Sequence, residues 1–438
     1  MRRSSRSLLT LVLLLIAALV TGPAFGQALN VQIVGGIKSA TPIAVVPFAQ
    51  QGAPLPTDIA DVIRNDLNRC GKFRSLAVSE IVEQPSQGSD IKFATWRLLK
   101  QDYIVIGRIK DAGNGMVTVE YELWDVNRQQ RLLGEAMSPA ATSDLRSVAH
   151  QIADKIFQQI TGIPGAFWTR IAYVTMVGTG NNANYSLIVA DSDGYNPQVV
   201  ARSHEALLSP KWSPDGSRIA YVSFESGDSA IYIQNISTGA RQLISARKGI
   251  NGAPAWSPDG SKLAVALSYT GNPEIYVMDL ASRQETRLTR SLAINTEPVW
   301  SPDGQSIYFT SDRSGRPQIY RVAASGGTPE RVSFQGQQNL DAAVSYDGKQ
   351  IAMVQANGNV YRIAIMDQSL GGQVRFISPG PIDESPSFAP NASMLIYAAT
   401  DGSRDVLYAV SNDGMVRQRL ALADGDVRSP AWGPYRKQ

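Results

Sequence analysis

Pro254-Ala-Trp-Ser-Pro-Asp-Gly260 and Pro298-Val-Trp-Ser-Pro-Asp-Gly304 are two copies of one pattern, and they decide the fold of most of this chain. The apolar residue at the centre of the pattern returns every 44 positions without an insertion or deletion. A repeat of this length with four short apolar runs is typical of a β-propeller, in which each repeat forms one four-stranded blade. The copies of this anchor residue are Trp212, Trp256, Trp300, Val344, Phe388 and Trp432.

The two ends of the repeat region predict how the ring closes. Arg170–Val174 matches Arg218–Val222, a second strand, so the first blade lacks an inner strand in its own part of the chain. The last anchor, Trp432, has no blade after it. We therefore expect residues 429–434 to pair beside residues 170–175, which gives six blades and leaves no open edge in the ring.

Residues 41–161 have a different pattern, in which strand and helix signals alternate. Ile43–Phe48 is a short apolar run, and Thr57–Arg69 and Ser143–Ile160 have the apolar spacing of helices. Gly162–Gly165 has the composition of a linker. The predicted fold is therefore an N-terminal α/β domain over residues 41–161, a linker over 162–168, and a six-bladed β-propeller over 169–438 that the C-terminal strand closes.

The first 26 residues have the composition of a secretory signal peptide. Arg2, Arg3 and Arg6 precede an apolar run from Leu8 to Val20, and small residues follow. Without this segment the chain has 38 basic and 38 acidic residues. The chain therefore has no net positive charge that would indicate a nucleic-acid partner.

The residue inventory does not favour a catalytic or metal site. The chain has two histidines, His150 and His204, and one cysteine, Cys70, which are too few for a usual zinc site. It has neither a Gly-x-Ser-x-Gly nucleophile motif nor a glycine-rich phosphate loop between a strand and a helix. The sequence predicts a protein that is not an enzyme and that uses no cofactor or metal.

The loops that lead into the inner strands are unlike ordinary turns, because Asn or acidic residues recur just before the strand. In a propeller these loops surround one mouth of the central channel. Each such residue has two open interpretations: it hydrogen-bonds its own loop, or it contacts a partner. As a set they form a polar, partly acidic mouth suited to a protein segment with complementary donors. The loops are 207–209, 251–253, 295–297, 339–341, 383–385 and 426–428.

The chain resembles the TolB family over essentially the whole mature length. The resemblance is carried by the repeats and by Ile43–Phe48, Gly71–Phe73, Asn251–Pro254 and Asn295–Pro298. It implies a periplasmic propeller protein of the Tol–Pal system that binds Pal, the peptidoglycan-associated outer-membrane lipoprotein, and the inner-membrane protein TolA. It also implies peripheral association with the outer membrane through Pal, and a role in outer-membrane integrity and in constriction during cell division. We expect a monomer.

In the family, Pal docks on the propeller mouth. The family often has a histidine in the loop before Asn-Gly-Ala-Pro, where this chain has Ile250, so no contact by a histidine is expected there. The resemblance and the mouth loops together predict a Pal-binding face formed by Leu208, Ser209, Asn251, Thr296, Glu297, Asp341, Asp383, Glu384 and Arg428.

Residues 27–40 are predicted to be a flexible segment that contains one strand. In Leu29-Asn30-Val31-Gln32-Ile33-Val34 apolar and polar residues alternate, and two glycines follow. One interpretation is an edge strand added to the α/β domain. The other is a strand that leaves and pairs with a partner's sheet. The resemblance implies that this segment engages TolA, and we expect it to be docked in one state and free in the other.

Two other functions stay open at this point. The chain could be a propeller that binds carbohydrate or peptidoglycan, or a non-catalytic relative of the prolyl-oligopeptidase-type propellers. The first function usually needs exposed aromatic residues at the mouth, and the mouth loops contain no Trp or Tyr. A hydrolase of that type would need a catalytic domain beside the propeller, and the sequence patterns predict none.

Overall fold

The computed structural model describes residues 31–33, 40–50, 54–369, 371–422 and 425–437. The predicted signal peptide and Leu29, Asn30 and Val34 of the predicted partner-binding segment lie outside these residues. The described chain begins with a short strand, β1 (Val31–Ile33). None of the helices in the described ranges has the length and apolar character needed to cross a membrane.

The α/β domain follows β1. Its sheet has the strand order β4-β2-β5-β6-β7, with β3 beside β5 and β8 beside β6. Strand β2 is parallel to both its neighbours, and the strands from β5 to β7 are antiparallel. The elements are β2 Thr41–Val45, β3 Ala49–Gln50, α1 Ile59–Arg69, β4 Phe73–Ser75, α2 Phe93–Leu98, β5 Tyr103–Gly113, β6 Met116–Asp125, β7 Gln130–Ala136, β8 Ala140–Ala141 and α3 Leu145–Thr161.

The two long helices lie where the apolar spacing predicts them. Asp58 caps α1, because its carboxylate accepts a hydrogen bond from the Asp61 N–H at 3.1 Å. Cys70 ends this helix and is buried. At the other end of the domain, Gly162 adopts a φ of 75° and ends α3, a conformation that glycine tolerates without strain.

The propeller has six blades, as the repeat predicts, and each anchor lies at the end of an inner strand. Outside blade one, each blade is a run of four consecutive strands. The strands are β9 Arg170–Val177, β10 Asn184–Asp191 and β11 Gln198–Ser203; β12 Leu207–Trp212, β13 Arg218–Ser223, β14 Ala230–Asn235 and β15 Arg241–Ser245; β16 Asn251–Trp256, β17 Lys262–Leu267, β18 Glu274–Asp279 and β19 Glu285–Arg287; β20 Asn295–Trp300, β21 Ser306–Ser311, β22 Gln318–Ala323 and β23 Glu330–Arg331; β24 Gln338–Val344, β25 Gln350–Asn357, β26 Val360–Asp367 and β27 Gln373–Phe376; β28 Asp383–Phe388, β29 Met394–Asp401, β30 Arg404–Ser411 and β31 Val416–Arg419; and β32 Asp426–Trp432.

The tryptophan anchors hold neighbouring blades together. The indole N–H of Trp256 donates to the Lys211 carbonyl at 3.0 Å, and that of Trp300 donates to the Ala255 carbonyl at 3.1 Å. In both cases the acceptor lies on the inner strand of the preceding blade. The same residue that fills the core therefore also satisfies its polar atom across the blade interface.

Closure of the ring is confirmed. Strand β32 pairs with β9 over Asp426–Trp432, so the C-terminal strand supplies the inner strand of blade one. Trp432 is buried, and its indole N–H donates to the Thr169 hydroxyl at 2.8 Å. The last strand and the first blade are thus one four-stranded sheet made from the two ends of the repeat region.

Strand β1 does not join the α/β sheet, which corrects one of the two interpretations of the N-terminal segment. It pairs antiparallel with β31, the outer strand of blade six, with Ile33 opposite Val416. β1 lies on blade six because the chain enters the α/β domain close to that blade. The Thr41 N–H donates to the Lys72 carbonyl, and a Cβ on the adjacent Gly71 would lie 3.5 Å from Val416. The edge of blade six is therefore next to the start of the α/β domain.

The α/β domain packs against the turns at one end of the propeller. It contacts the turn at Ser411 through Gly71, and the Asn391 amide donates to the Pro164 carbonyl at 2.9 Å. The linker is held by α3, because the Asp154 carboxylate accepts from the N–H groups of Phe167 and Trp168. These turns are at the ends of the blades opposite to the loops that lead into the inner strands. The mouth predicted to bind a partner is therefore on the face that the α/β domain leaves uncovered.

Candidate functional site: the propeller mouth

All six inner strands share one irregularity at the mouth. In each of them the pairing register with the second strand shifts, for example between Thr296 and Val299 in blade four. One residue at each shift has a positive φ of 48–55°, although none of the six is glycine. Such residues are strained and cluster at functional sites. This set, which we call the bulge ring, recurs at the 44-residue step and consists of Ser209, Ala253, Glu297, Asp341, Ser385 and Ser429.

The bulge ring sorts the predicted site residues into three positions. The bulge residues line a central channel with a volume of about 630 Å³. The residue before each of them is exposed or half-buried at the mouth end of the strand, and the residue before that one is buried in the blade. The strand alternation and the bulge together produce this order.

Asn251 and Asp383 are in the buried position, and their side chains hold the loops. The Asn251 amide oxygen accepts from the Ser245 hydroxyl at 2.7 Å and from the Arg247 N–H at 2.9 Å. Its amide nitrogen donates to the Arg247 carbonyl at 2.6 Å. The Asp383 carboxylate accepts from the Gly380 N–H at 2.7 Å. These two residues can shape the mouth, but their polar atoms are already engaged within the protein.

Four of the predicted residues are in the position that faces the mouth. Leu208 and Glu384 are exposed, and Thr296 is partly exposed. Arg428 is also exposed, and its guanidinium donates to the Asp405 carboxylate at 2.5 Å. These side chains are available for direct contact with a partner.

Glu297 and Asp341 form an acidic pair within the bulge ring. A carboxylate oxygen of Glu297 accepts from the Thr310 hydroxyl at 2.7 Å and from the Asp341 N–H at 2.8 Å. Burial and the Asp341 charge raise the pKa of Glu297 to about 7, although the hydrogen bonds and Lys211 oppose the shift. Burial likewise raises the pKa of Asp341. The channel wall therefore carries two carboxyl groups whose ionised forms would be stabilised by a hydrogen-bond donor or a positive charge from a partner.

Replacing Glu297 by Gln is expected to remove a pH dependence of stability. The folded-state pKa of Glu297 is above its unfolded value, so ionising this group disfavours the folded state. The free energy of unfolding of the wild type, relative to Glu297→Gln, should fall as pH rises from about 4.5 to about 7, by roughly 1–3 kcal/mol. Urea denaturation at several pH values measures it.

Glu225→Gln is the control for the Glu297 experiment. The hydrogen bond from Arg241 lowers the pKa of Glu225, so the wild type should gain stability relative to this variant as pH rises. Equal pH profiles for the wild type and Glu297→Gln would show that the Glu297 carboxyl group is not destabilised in the channel.

An apolar rim around the mouth was not predicted. Ile250, Ile294 and Ile382 occupy equivalent positions, one residue before the buried polar position, and each is about half exposed. Leu292 and Phe334 are exposed at 95% and 71% in the neighbouring loops. The signal that could have found the rim is the recurrence of Ile at the 44-residue step within otherwise polar loops. Exposed apolar residues that lie close together on a surface are typical of a protein-interaction site.

Among the described residues, three side chains of metal-binding type lie together at the domain boundary and not at the mouth. They are Asp66, His150 and Asp193. Arg69 pairs with Asp66, and Arg146 pairs with Asp193, so the negative charge that a cation needs is already neutralised. This group is an ion-pair cluster.

Known proteins match both domains of this chain in the same order. A family model described as the TolB amino-terminal domain matches residues 29–132, and one described as the TolB beta propeller domain matches residues 157–436. The Tol-Pal system protein TolB of Xanthomonas oryzae pv. oryzae (strain PXO99A) is 65% identical over 431 residues, which is 98% of this chain and 97% of that protein. The protein of the same name from Xanthomonas campestris pv. campestris (strain B100) is 66% identical over 413 residues, 94% of each chain. The crystal structure of TolB from Acinetobacter baumannii is 41% identical and covers 93% of this chain and 100% of that one, with a TM-score of 0.85.

Proposed function

The chain belongs to the TolB family of Tol–Pal system proteins, and on this premise we propose that it is a non-catalytic, protein-binding component of that system in the periplasm. Pal docks on the propeller mouth, and TolA binds the N-terminal segment. The chain acts as a monomer that reaches the outer membrane only through Pal. Its role is to maintain the outer membrane and to support its constriction during cell division.

The observation that carries the Pal site is the bulge ring with its surroundings. Six strained residues at equivalent positions place polar and acidic side chains at the channel opening. The apolar rim surrounds that opening, and the α/β domain is on the other face. Grouped exposed apolar residues mark interaction surfaces, and complementary polar and charged groups give such interfaces their specificity. The contact residues we propose are therefore Leu208, Ser209, Thr296, Glu297, Asp341, Glu384 and Arg428, with Asn251 and Asp383 as supports for their loops.

The TolA site rests on the way in which β1 is attached. Its described pairing with β31 covers three residue pairs, Val31 with Gln418, Gln32 with Arg417, and Ile33 with Val416. So short an edge pairing adds little stability to a sheet, and the same main-chain groups can pair with a partner's strand. The segment is therefore bound to blade six in the absence of a partner and can dissociate from it to pair with TolA.

Changing the mouth should weaken Pal binding while the fold stays intact. In the double variant Thr296→Trp/Glu384→Lys, a bulky group and a reversed charge face the mouth. We expect the dissociation constant for Pal to rise by at least tenfold, because interface charges that lose their partners cost ~2–5 kcal/mol. Isothermal titration calorimetry with purified Pal measures the change.

The matched control introduces the same two residue types, Trp and Lys, at positions away from the mouth. Gln305→Trp/Glu330→Lys changes an exposed turn residue and an exposed outer-strand residue of blade four. This variant should bind Pal as the wild type does. If the mouth variant kept full affinity and a native circular-dichroism spectrum, Pal would have to bind another face.

A further inference from the structure

A cluster of charged side chains is buried where the α/β domain meets blade one. Helix α1 contributes Asp66 and Arg69, helix α3 contributes Arg146 and His150, and the turn between β10 and β11 contributes Asp193. Asp66, Arg69, His150 and Asp193 are each at most 3% exposed. Burial of charge at this level is rare unless the charges are paired, so the contacts between them decide what the cluster does.

His150 lies between one carboxylate from each domain. Its Nδ1 is 2.6 Å from an Asp66 carboxylate oxygen, and its Nε2 is 3.3 Å from an Asp193 carboxylate oxygen. A neutral imidazole has one N–H, so one of its nitrogens would present a lone pair to a carboxylate. Only the protonated ring presents an N–H to both carboxylates, in a hydrogen bond to Asp66 and in an ion pair with Asp193 that lies outside hydrogen-bond geometry. The geometry therefore favours the imidazolium form.

The two arginines complete the link between the domains. Arg69 pairs with Asp66 at 3.0 Å within α1 and crosses the boundary to the Ser192 carbonyl at 3.0 Å and the Ser192 hydroxyl at 2.7 Å. Arg146 pairs with Asp193 across the same boundary. Burial would lower the pKa of His150, but the charges of Asp66 and Asp193 outweigh it and raise this pKa to about 10. The His150 and Arg146 charges, against the effect of burial, hold the pKa of Asp193 well below its usual range.

The other contacts between this domain and the propeller carry no paired charges: a buried apolar core runs from the α/β domain through Phe167 to Trp432, and apolar contact has no preferred direction. Gly71 packs against Ser411, and Asn391 donates one hydrogen bond to the Pro164 carbonyl. The linker is held from both sides, because the Asp154 carboxylate of α3 accepts from the Phe167 N–H and the Phe167 carbonyl accepts from the Ser192 hydroxyl of blade one. The charge cluster is thus the strongest directional connection between the domains in the described part of the chain.

We propose that this cluster is a latch: protonated His150 bridges Asp66 and Asp193 and holds the α/β domain at one angle against blade one, and loss of that bridge lets the domain turn while both domains stay folded. His150 is a positioning residue. The latch does not depend on which partners the mouth or the N-terminal segment binds, so its test is separate from theirs.

The direction of the pH effect follows from the charge of His150. The folded pKa is above the unfolded value, so the stabilisation is complete below about pH 6.5 and is lost as pH rises through about 10. The charged groups that act on His150 are Asp66 of α1, Asp154 of α3 and Asp193 of the turn. Around them, Arg69 and Arg146 pair with Asp66 and Asp193, Cys70 lies near Asp66, and the Tyr195 ring lies against Arg146. Burial raises the pKa of Asp154 to about 7 and that of Cys70 to about 12. Measurements between pH 8.5 and 10.5 therefore fall between these two titrations.

His150→Gln in the full chain tests the latch by hydrogen exchange and mass spectrometry. The readout is exchange at the boundary peptides that contain Phe167, Trp168 and Ser192, at pH 8.5. We expect at least tenfold faster exchange at these peptides, and unchanged exchange in β5 and β6 in the centre of the α/β sheet. Lys155→Gln is the matched control, because Lys155 lies on the same helix as His150 but pairs with Glu135 of β7, within the α/β domain.

The pH series adds a second readout, and a second variant guards against failure of the first to fold. In the wild type, boundary exchange corrected for its intrinsic pH dependence should rise between pH 8.5 and 10.5, and this rise should be absent in His150→Gln. Asp193→Asn, which alters only the propeller turn, should increase exchange at the boundary peptides as His150→Gln does. Boundary exchange in the double variant should be no faster than in either single variant, because both substitutions remove the same bridge. Unchanged boundary protection in both variants would overturn the latch. Faster exchange throughout β5 and β6 would also overturn it, because the cluster would then stabilise the α/β domain itself.

Discussion

A chain that ends after Gly425 is expected to lose the cooperative unfolding transition of the propeller. The truncation removes β32, so β9 loses its inner neighbour and blade six loses the strand of blade one that it packs against. It also removes the buried side chains of Val427, Ala431 and Trp432. Loss of a buried tryptophan alone costs ~3–5 kcal/mol, and the net stability of a domain is only ~5–15 kcal/mol. Differential scanning calorimetry of the two proteins measures the loss.

A shorter truncation separates ring closure from the rest of the C-terminus. A chain that ends after Gly433 keeps β32 with Trp432 and loses the tail, including the Arg436 ion pair with Asp191. It should unfold cooperatively, within a few degrees of the wild type, because every residue of β32 and its pairing with β9 are kept. If the chain that ends after Gly425 kept the wild-type midpoint, closure by the C-terminal strand would not be what stabilises the ring.

Deleting residues 27–34 is expected to abolish TolA binding and to leave Pal binding measurable. The deletion removes β1 and its pairing with β31 but leaves the bulge ring and the mouth unchanged. Any coupling between the two sites must be reciprocal in free energy, so a change in Pal affinity would report how strongly the docked strand biases the mouth. Surface plasmon resonance with immobilised TolA and calorimetry with Pal measure the two effects.

Replacing residues 27–34 with a Gly/Ser segment of the same length is the control for chain length. A Gly/Ser segment is flexible and has little strand propensity, so this variant should also fail to bind TolA. Its thermal midpoint should be close to that of the wild type, because the described β1 pairs through only three residues. Capture of TolA by either variant at undiminished affinity would rule out the strand as the binding element.

Much of the fold could be predicted from the sequence because the residues that define each blade lie close together within one repeat. Each blade packs an anchor such as Trp256 and turns at a Ser-Pro-Asp-Gly segment, and both signals lie within one repeat. In the structure the Ser257 hydroxyl donates to Asp259 at 2.6 Å, and it accepts from the Lys262 N–H at 2.9 Å, so the turn holds itself. Ring closure could be predicted because the first blade lacks an inner strand and the last anchor, Trp432, has no blade of its own. Apolar spacing placed α1 and α3 in the same way, to within two residues at each end.

The mouth was predictable as a location but not residue by residue. Asn251 and Thr296 belong to loops of the same kind, yet Asn251 is fully buried and Thr296 faces the opening. The difference is one position in a strand whose side chains alternate, so it depends on where the strand begins. The bulge then turns Glu297 and Asp341 into the channel, through a left-handed backbone that residue identity does not signal.

The sequence by itself determined the two domains, the number of blades and the face on which a partner is expected, because each rests on patterns within a repeat or within one helix. Only the tertiary structure decided that β1 joins blade six, that the apolar rim surrounds the mouth, and that His150 lies between Asp66 and Asp193. Asp66 and Asp193 are 127 positions apart, and neither belongs to a recognisable motif. Such contacts arise when separately folded elements pack together, and the free energy of a buried charge depends on what the other domain places beside it.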